Sequence, residues 1–319
     1  MTVLDSIPKY LRCNLCGSTG FTLFLKSSIN TSHNSTIYST TSQAISGEDL
    51  ISCSLCGLIF VYPMPERKKL ISQYKATVEE KYLKEVRARS VTFRKILKHI
   101  QMILQNDSTI VVNKRRVKFM DKPLKLLDVG AGAGFLVKEA QIAGFDAYGI
   151  EPNKFLASWG QKHLGARILN GSFEEMGMNR SYDLVTFVDV LEHMTDPKAA
   201  LEKTHKLLKK GGLVVINYPD IKSSLAKIFG KNWWFIVSGH LYYFDRQTIK
   251  KMLKVVGFEI ISDKKHFQTF SLAYLIRQIG RYDKHMAEKL YEFCLKLKLD
   301  KVFITYWAGQ RMVVAKKHR

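Results

Sequence analysis

The feature that most constrains this chain is an apolar run of strand length that ends in three glycines within five residues. Just after Pro123 it reads Leu124-Lys125-Leu126-Leu127-Asp128-Val129-Gly130-Ala131-Gly132-Ala133-Gly134-Phe135. Phe135, Leu136, Ala140 and Ala143 then recur at helical spacing before Gly144, so the stretch predicts strand, tight turn and helix. Glycine is needed where a turn takes backbone angles closed to a side chain and where a ligand approaches the main chain. The spacing is G-x-G-x-G, not the G-x-G-x-x-G of dinucleotide-binding loops. A second acid, Glu151, ends the next apolar run, Ala147-Tyr148-Gly149-Ile150-Glu151, twenty-three residues after Asp128. A carboxylate in that place can accept the hydroxyls of a ribose. The loop reads as a cradle for a nucleotide-like ligand.

Asp128, the three glycines and Glu151 together resemble the class I S-adenosylmethionine-dependent methyltransferases, whose loop is D/E-x-G-x-G-x-G and whose second strand ends in an acid. The resemblance implies an α/β fold, a Rossmann-like class I methyltransferase sheet, with S-adenosylmethionine as cofactor. It implies that Asp128, Gly130, Gly132, Gly134, Phe135 and Glu151 hold the donor. In Gly171-Ser172-Phe173-Glu174, Ser172 and Phe173 fall where relatives enclose the adenine. Phe187-Val188-Asp189-Val190-Leu191-Glu192-His193 matches the family's V-L-E-H and brings Asp189, a further donor-side residue, with Glu192 and His193 beneath the methyl group. His193 is a candidate base; a pocket-wall role is its alternative. The second candidate base is His240 in Ser238-Gly239-His240-Leu241-Tyr242-Tyr243-Phe244. Deoxysugar C-methyltransferases carry a comparable H-E-H-x-x-Y-F whose last histidine is the proposed base. Ser238 and Gly239 depart from that pattern, which weighs against carbon methylation of a ketosugar, and the form here is similar to glycan-associated relatives. A purely structural His240 is the alternative.

Four of the five cysteines lie between residues 11 and 65, as Cys13-Asn14-Leu15-Cys16-Gly17 and Cys53-Ser54-Leu55-Cys56-Gly57. Each C-x-x-C-G knuckle can present two thiolates to one metal ion, and the two together fit a tetrahedral zinc site. The gap between knuckles exceeds the compact spacing, and the Ser/Thr/Asn-rich stretch 27–43 is expected to absorb the excess as a loop. A disulfide pair and a redox C-x-x-C remain as alternatives, the first disfavoured in a cytosolic chain and the second by the duplication. His33 reads as a solvated loop residue and Cys294 as a core residue. The strand-like Gly57-Leu58-Ile59-Phe60-Val61-Tyr62-Pro63-Met64-Pro65 follows. A subset of bacterial methyltransferases acting on sugars and surface glycans begins in a similar way, with a zinc ribbon ending in C-x-x-C-G-L-x-F and P-x-P.

The expected organisation is a zinc ribbon over 1–65, a helical cap and linker over 66–123, and a methyltransferase domain over 124–319 with a helical insert at 265–301. Phe93, Ile96, Leu97 and Ile100 share one helical face, and Lys114-Arg115-Arg116 marks a surface joint. Beyond the loop, predicted elements alternate: a helix from Asn153, strands at 167–169 and 182–188, and a helix from Asp196-Pro197 ending at Gly211-Gly212. A strand at 213–218, a helix from Asp245 to Gly257 and strands at 258–261 and 312–314 follow. Such βα alternation implies a parallel sheet with the ligand beyond the carboxyl ends of the strands.

No apolar run is long enough to span a bilayer, and Met1–Ser6 lacks a secretion-leader pattern, so a soluble cytoplasmic protein is expected and the sequons at Asn30 and Asn34 are expected to be unused. Fifty basic residues against 28 acidic give a net charge of +22. That balance favours an anionic partner, whether nucleic acid, nucleotide-linked sugar, acidic glycan or membrane surface. Amino-methylating nucleic-acid enzymes need an Asn/Asp-Pro-Pro-aromatic turn after the fourth strand, which Val188-Asp189-Val190-Leu191 is not. Base C5 methylation needs a cysteine nucleophile in the core, and every cysteine lies outside it. The expected acceptor is a small anionic or sugar-containing molecule, with Lys231-Asn232-Trp233-Trp234-Phe235 as a stacking segment, and membrane contact or buried core as its alternatives. The rival readings are RNA methylation and a non-enzymatic zinc-ribbon binding module.

Overall fold

The computed structural model describes residues 7–27, 48–66, 74, 80–106, 122–280 and 283–318. An antiparallel N-terminal set, β1 (Phe21–Leu25), β2 (Asp49–Cys53) and β3 (Ile59–Tyr62), carries the cysteine knuckles in its turns. Helices α1 (Glu80–Leu83) and α2 (Val86–Asn106) lead into the alternating core. That core runs β4 (Lys125–Val129), α3 (Phe135–Ile142), β5 (Asp146–Glu151), α4 (Lys154–Leu164), β6 (Ile168–Asn170), β7 (Tyr182–Val188), α5 (Pro197–Leu207) and β8 (Leu208–Pro219). It continues through α6 (Ser224–Phe229), β9 (Tyr242–Tyr243), α7 (Arg246–Val256), β10 (Phe258–Ser271), α8 (Leu272–Ile279), α9 (Lys284–Lys296) and β11 (Phe303–Lys317).

The main sheet has the order β10-β11-β8-β7-β4-β5-β6. Strands β4 to β8 pair in parallel, and β11 runs antiparallel to both β8 and β10. Because helices cover both faces, the inner strands are apolar almost throughout, as in Leu126, Leu127 and Val129 or Val214 to Ile216. One layer joins Phe93, Ile96, Leu97 and Ile100 of α2 to Leu136, Leu156, Leu184 and Val215. The other joins Leu201, Ile249, Met252 and Leu253 to Val214 and Ile216, and it includes Leu50, Ile51 and Phe60 of the ribbon. The Phe93-to-Ile100 face thus covers the sheet itself. The helix starts behave as the capping residues predict: Asn153 accepts from Leu156 N–H, Asp196 from Ala199 N–H, and Asp245 forms a capping box with Thr248.

Three expectations are corrected. Gly211 and Gly212 do not end a helix; α5 stops at Leu207, and both glycines lie inside β8. The strands expected at 258–261 and 312–314 are 14 and 15 residues long, because Phe267–Ser271 pairs with Phe303–Trp307 beyond the edge of the sheet proper. The helical excursion is therefore shorter than 265–301 and consists of α8 and α9. The loop at 27–43 (apart from Ser27), His33, the two sequons and the Lys114–Arg116 joint lie outside the described residues. No helix among the described residues is long and apolar enough to cross a membrane.

The ribbon is joined to the core by backbone pairing. β3 pairs antiparallel with β9, Val61 N–H donates to Leu241 O at 3.0 Å, and Leu241 N–H donates to Glu192 O at 2.8 Å. Asn14, inside the first knuckle, donates from Nδ2 to Asp196 Oδ1 at 2.8 Å and accepts from Lys198 N–H at 3.2 Å, at the start of α5.

Candidate active site

The glycine loop leaves β4 and is fastened to the end of β5. Gly130 and Ala131 N–H both donate to Ile150 O, and Gly134 N–H closes a turn on Ala131 O. All three glycines have positive φ, between 52° and 73°, in the left-handed region that side chains disfavour. A Cβ at Gly134 would lie 2.6 Å from Ile168 Cδ1, so packing also demands glycine there. At Gly132 the Cβ position is 3.3 Å from the Tyr82 hydroxyl, the only one of the three whose nearest neighbour comes from α1. Tyr82 stacks on Phe135 with ring centroids 5.0 Å apart, and Phe135 meets Trp159 edge-on.

Glu151 is fully buried, with one oxygen accepting from Gly132 N–H and the other from Asn153 N–H, each at 2.7 Å. A carboxylate offers about four acceptor positions, so two amides do not exhaust it. Asp128 accepts from the Thr186 hydroxyl at 2.6 Å. Burial, with a smaller push from the Glu151 charge, raises its pKa to about 7. Ser172 is buried and its hydroxyl accepts from Glu175 N–H at 3.3 Å. The Phe173 ring is a core element, edge-on to Phe187 and under the Lys203 ammonium.

Past the end of β7, Asp189 takes φ 57°, rare for a residue other than glycine and costing on the order of 1–3 kcal/mol. Its carboxylate over-determines that conformation. It accepts from Asn217 Nδ2 at 2.5 Å and Gln310 Nε2 at 2.6 Å, and pairs with Arg89 at 3.4 Å. Gln268 donates in turn to Gln310 Oε1. Neighbouring His266 is buried, and desolvation holds it near pKa 4 and therefore neutral.

The sequence motif V-L-E-H forms a single 3-10 turn at Leu191–His193, entered from Val190, whose side chain lies against Gly130. His193 and His240 come together with ring centroids 4.7 Å apart. His193 Nδ1 is 2.6 Å from Gly239 O; because a carbonyl only accepts, the proton sits on Nδ1 and Nε2 carries the lone pair. Burial lowers the His193 pKa. Phe235 stacks on the His240 ring at 6.0 Å. Glu192 is 1% exposed, and neither of its carboxylate oxygens has a hydrogen-bond partner. Burial, reinforced by the Asp189 charge, pushes its pKa well up. Of the Lys231–Phe235 segment, Trp233 is core, 1% exposed, the buried-core alternative for that residue, while Trp234 and Phe235 are half-buried.

Cys13 and Cys56 sulfurs are 3.5 Å apart, Cys16 and Cys53 sulfurs 3.6 Å, and all four lie within 4.8 Å of one another. These separations are too long for S–S bonds of about 2.05 Å. They match the roughly 3.8 Å edge of a tetrahedron of thiolates about 2.3 Å from a zinc ion, so the donor set fits that metal.

Tyr82, Arg89, Asn217 and Gln310 were not legible as site residues. They reach the loop and Asp189 from α1, α2, β8 and β11, and no local motif marks them.

A family profile described as a methyltransferase domain matches residues 92–263, more than half of the chain. The ubiquinone biosynthesis O-methyltransferase of Photobacterium profundum is 25% identical over 197 residues, covering 60% of this chain and 74% of that protein. The Bradyrhizobium enzyme of the same name is 33% identical over 101 residues, covering 30% of this chain and 39% of that protein. The chain thus spans about two fifths of the one relative and three quarters of the other. Among solved structures, an Archaeoglobus fulgidus SAM-dependent methyltransferase aligns with TM-score 0.47 at 16% identity, over 75% of this chain and all of that one. The Synechocystis magnesium protoporphyrin IX methyltransferase with bound SAH aligns at 0.43 and 17%, over 71% of this chain and 84% of that one. The profile spans the glycine loop, the acid closing β5 and the V-L-E-H turn, and on it the chain belongs to the methyltransferase-domain family.

Proposed function

We propose that the chain methylates an oxygen of a small anionic or sugar-containing acceptor, with the donor on the glycine loop and the acceptor at the His193–His240 pair. The observation that carries this reading is the ring contact between half-buried His193, three residues past the Val190 that packs on Gly130, and buried His240. When bound, S-adenosylmethionine supplies an electrophilic methyl group on a sulfonium. The rest is alignment and proton removal. Glu151 accepts ribose hydroxyls, Gly130, Gly132 and Gly134 let the ligand reach the main chain, and Asp128 lies on the donor side with them. Phe135, Ser172, Phe173 and Asp189 complete the donor side. The imidazole of His240 or His193 takes the proton of the acceptor hydroxyl.

The oxygen acceptor is supported by the names of the curated relatives, and the anionic or sugar character by the net charge and the ribbon's resemblance to glycan enzymes. Cys13, Cys16, Cys53 and Cys56 hold zinc as a structural ion. The backbone pairing between the ribbon and the His240 segment favours a supporting role over an RNA-reading one. The test is methyl transfer from labelled donor into fractionated cognate lysate. Label in a small-molecule fraction, with turnover lowered roughly 10²–10⁴-fold by His240→Ala at unchanged donor affinity, supports the reading. Label in ribosomal RNA overturns it.

A further inference from the structure

The geometry points to a second metal site: we propose that Glu192, His193 and His240 bind a divalent transition-metal ion beside the donor loop. One ligand atom from each residue lies within 4.8 Å of the other two, with Glu192 and His240 buried and His193 half-buried. Two imidazoles and one carboxylate are a donor set that first-row divalent ions favour, with positions left open for a further ligand. Two observations beyond the clustering point to a ligand. Glu192 is 1% exposed and leaves both oxygens without a hydrogen-bond partner, an arrangement costly for a carboxylate unless something cationic meets it. His193 gives its Nδ1 proton to Gly239 O at 2.6 Å, which leaves the lone pair on Nε2 for a ligand. That carbonyl contact is how metal-ligating histidines are commonly oriented. The three residues sit on two segments locked together by the Leu241 N–H bond to Glu192 O, so the donors are pre-positioned.

The site differs in kind from the cysteine cluster, having nitrogen and oxygen donors where that one has four sulfurs. Its consequence for catalysis rests on the function proposed above. With the ion bound, a coordinated acceptor hydroxyl would release its proton to solvent near neutral pH, and His193 and His240 would act as ligands in place of the general-base role given them above. Ion binding itself does not depend on that reading.

Cobalt(II) titration of the full chain separates the two sites. Thiolate coordination brings sulfur-to-cobalt charge-transfer absorption; the nitrogen–oxygen site brings visible bands without it. The expected result is one equivalent of the second kind per chain, lost in both Glu192→Gln and His193→Ala while calorimetry shows S-adenosylhomocysteine bound as in the wild type. Absence of that equivalent from the wild type, or its persistence in both variants, overturns the proposal. Failure of the wild type to bind S-adenosylhomocysteine would instead count against the proposed function and leave the cobalt result to stand by itself.

Discussion

Glu151 reaches Gly132 N–H from nineteen residues away and at the same time anchors Asn153, so one carboxylate fixes both the loop and the start of the next helix. Gly132→Val forces a branched side chain into a left-handed position facing Tyr82 and should abolish S-adenosylhomocysteine binding in calorimetry. Glu151→Ala should weaken it at least tenfold, about 1.4 kcal/mol, through the lost acceptors. Asp128 makes a pH-dependent contribution. Its folded pKa of about 7 stands above the roughly 3.9 of the unfolded chain. Between those values the folded state holds a proton that the unfolded state has released, so stability falls as pH rises through the window. The donor-free protein should lose about 2 kcal/mol from this group between pH 5.5 and 7.5, at about 1.36 kcal/mol per unit. Urea denaturation of wild type and Asp128→Asn at both pH values checks it: the wild-type midpoint should drop more than the variant's. Residues of the loop could be read from the sequence because their constraint is local. Arg89 and Gln310 could not, because their meaning lies only in Asp189, 100 and 121 positions distant.

Helix starts were legible to the residue where a side chain supplies the cap, as at Asn153, Asp196 and Asp245. Strand lengths at β10 and β11 were not, because Asp263, Lys264 and Lys265 break the apolar pattern while pairing with Met312 and its neighbours continues. Gly211 looked like a helix stop, yet its positive φ serves a bend inside β8. The β3–β9 pairing was equally hidden, since a two-residue strand has no periodicity. It carries a prediction at this scale. Cys13→Ser should lower bound zinc by elemental analysis and, through β3 and Leu241, reduce methyl transfer more than tenfold. S-adenosylhomocysteine affinity should change less than twofold, because the glycine loop hangs on β4 and β5 instead. Equal loss of both would show that the ribbon supports the whole fold and not one side of the site.

At the scale of the whole molecule, the parallel sheet follows from βα alternation, and the family match agrees. The net charge of +22 remains a statement about the surface alone. What could not be inferred is how closed the donor side is. Glu151 has no solvent contact, and the Tyr82 hydroxyl stands over Gly132, so α1 occupies the approach to the loop. On the donor site proposed above, entry and exit would require α1 to move aside, and a gate of this kind can set the turnover rate. Solvent viscosity should then slow steady-state turnover in the wild type, while Tyr82→Ala should show a weaker viscosity dependence and faster product dissociation in stopped-flow measurements. On that proposed site, a tyrosine stacked on a phenylalanine would serve as a timer: how long the product stays would be decided by a ring that takes no part in making it.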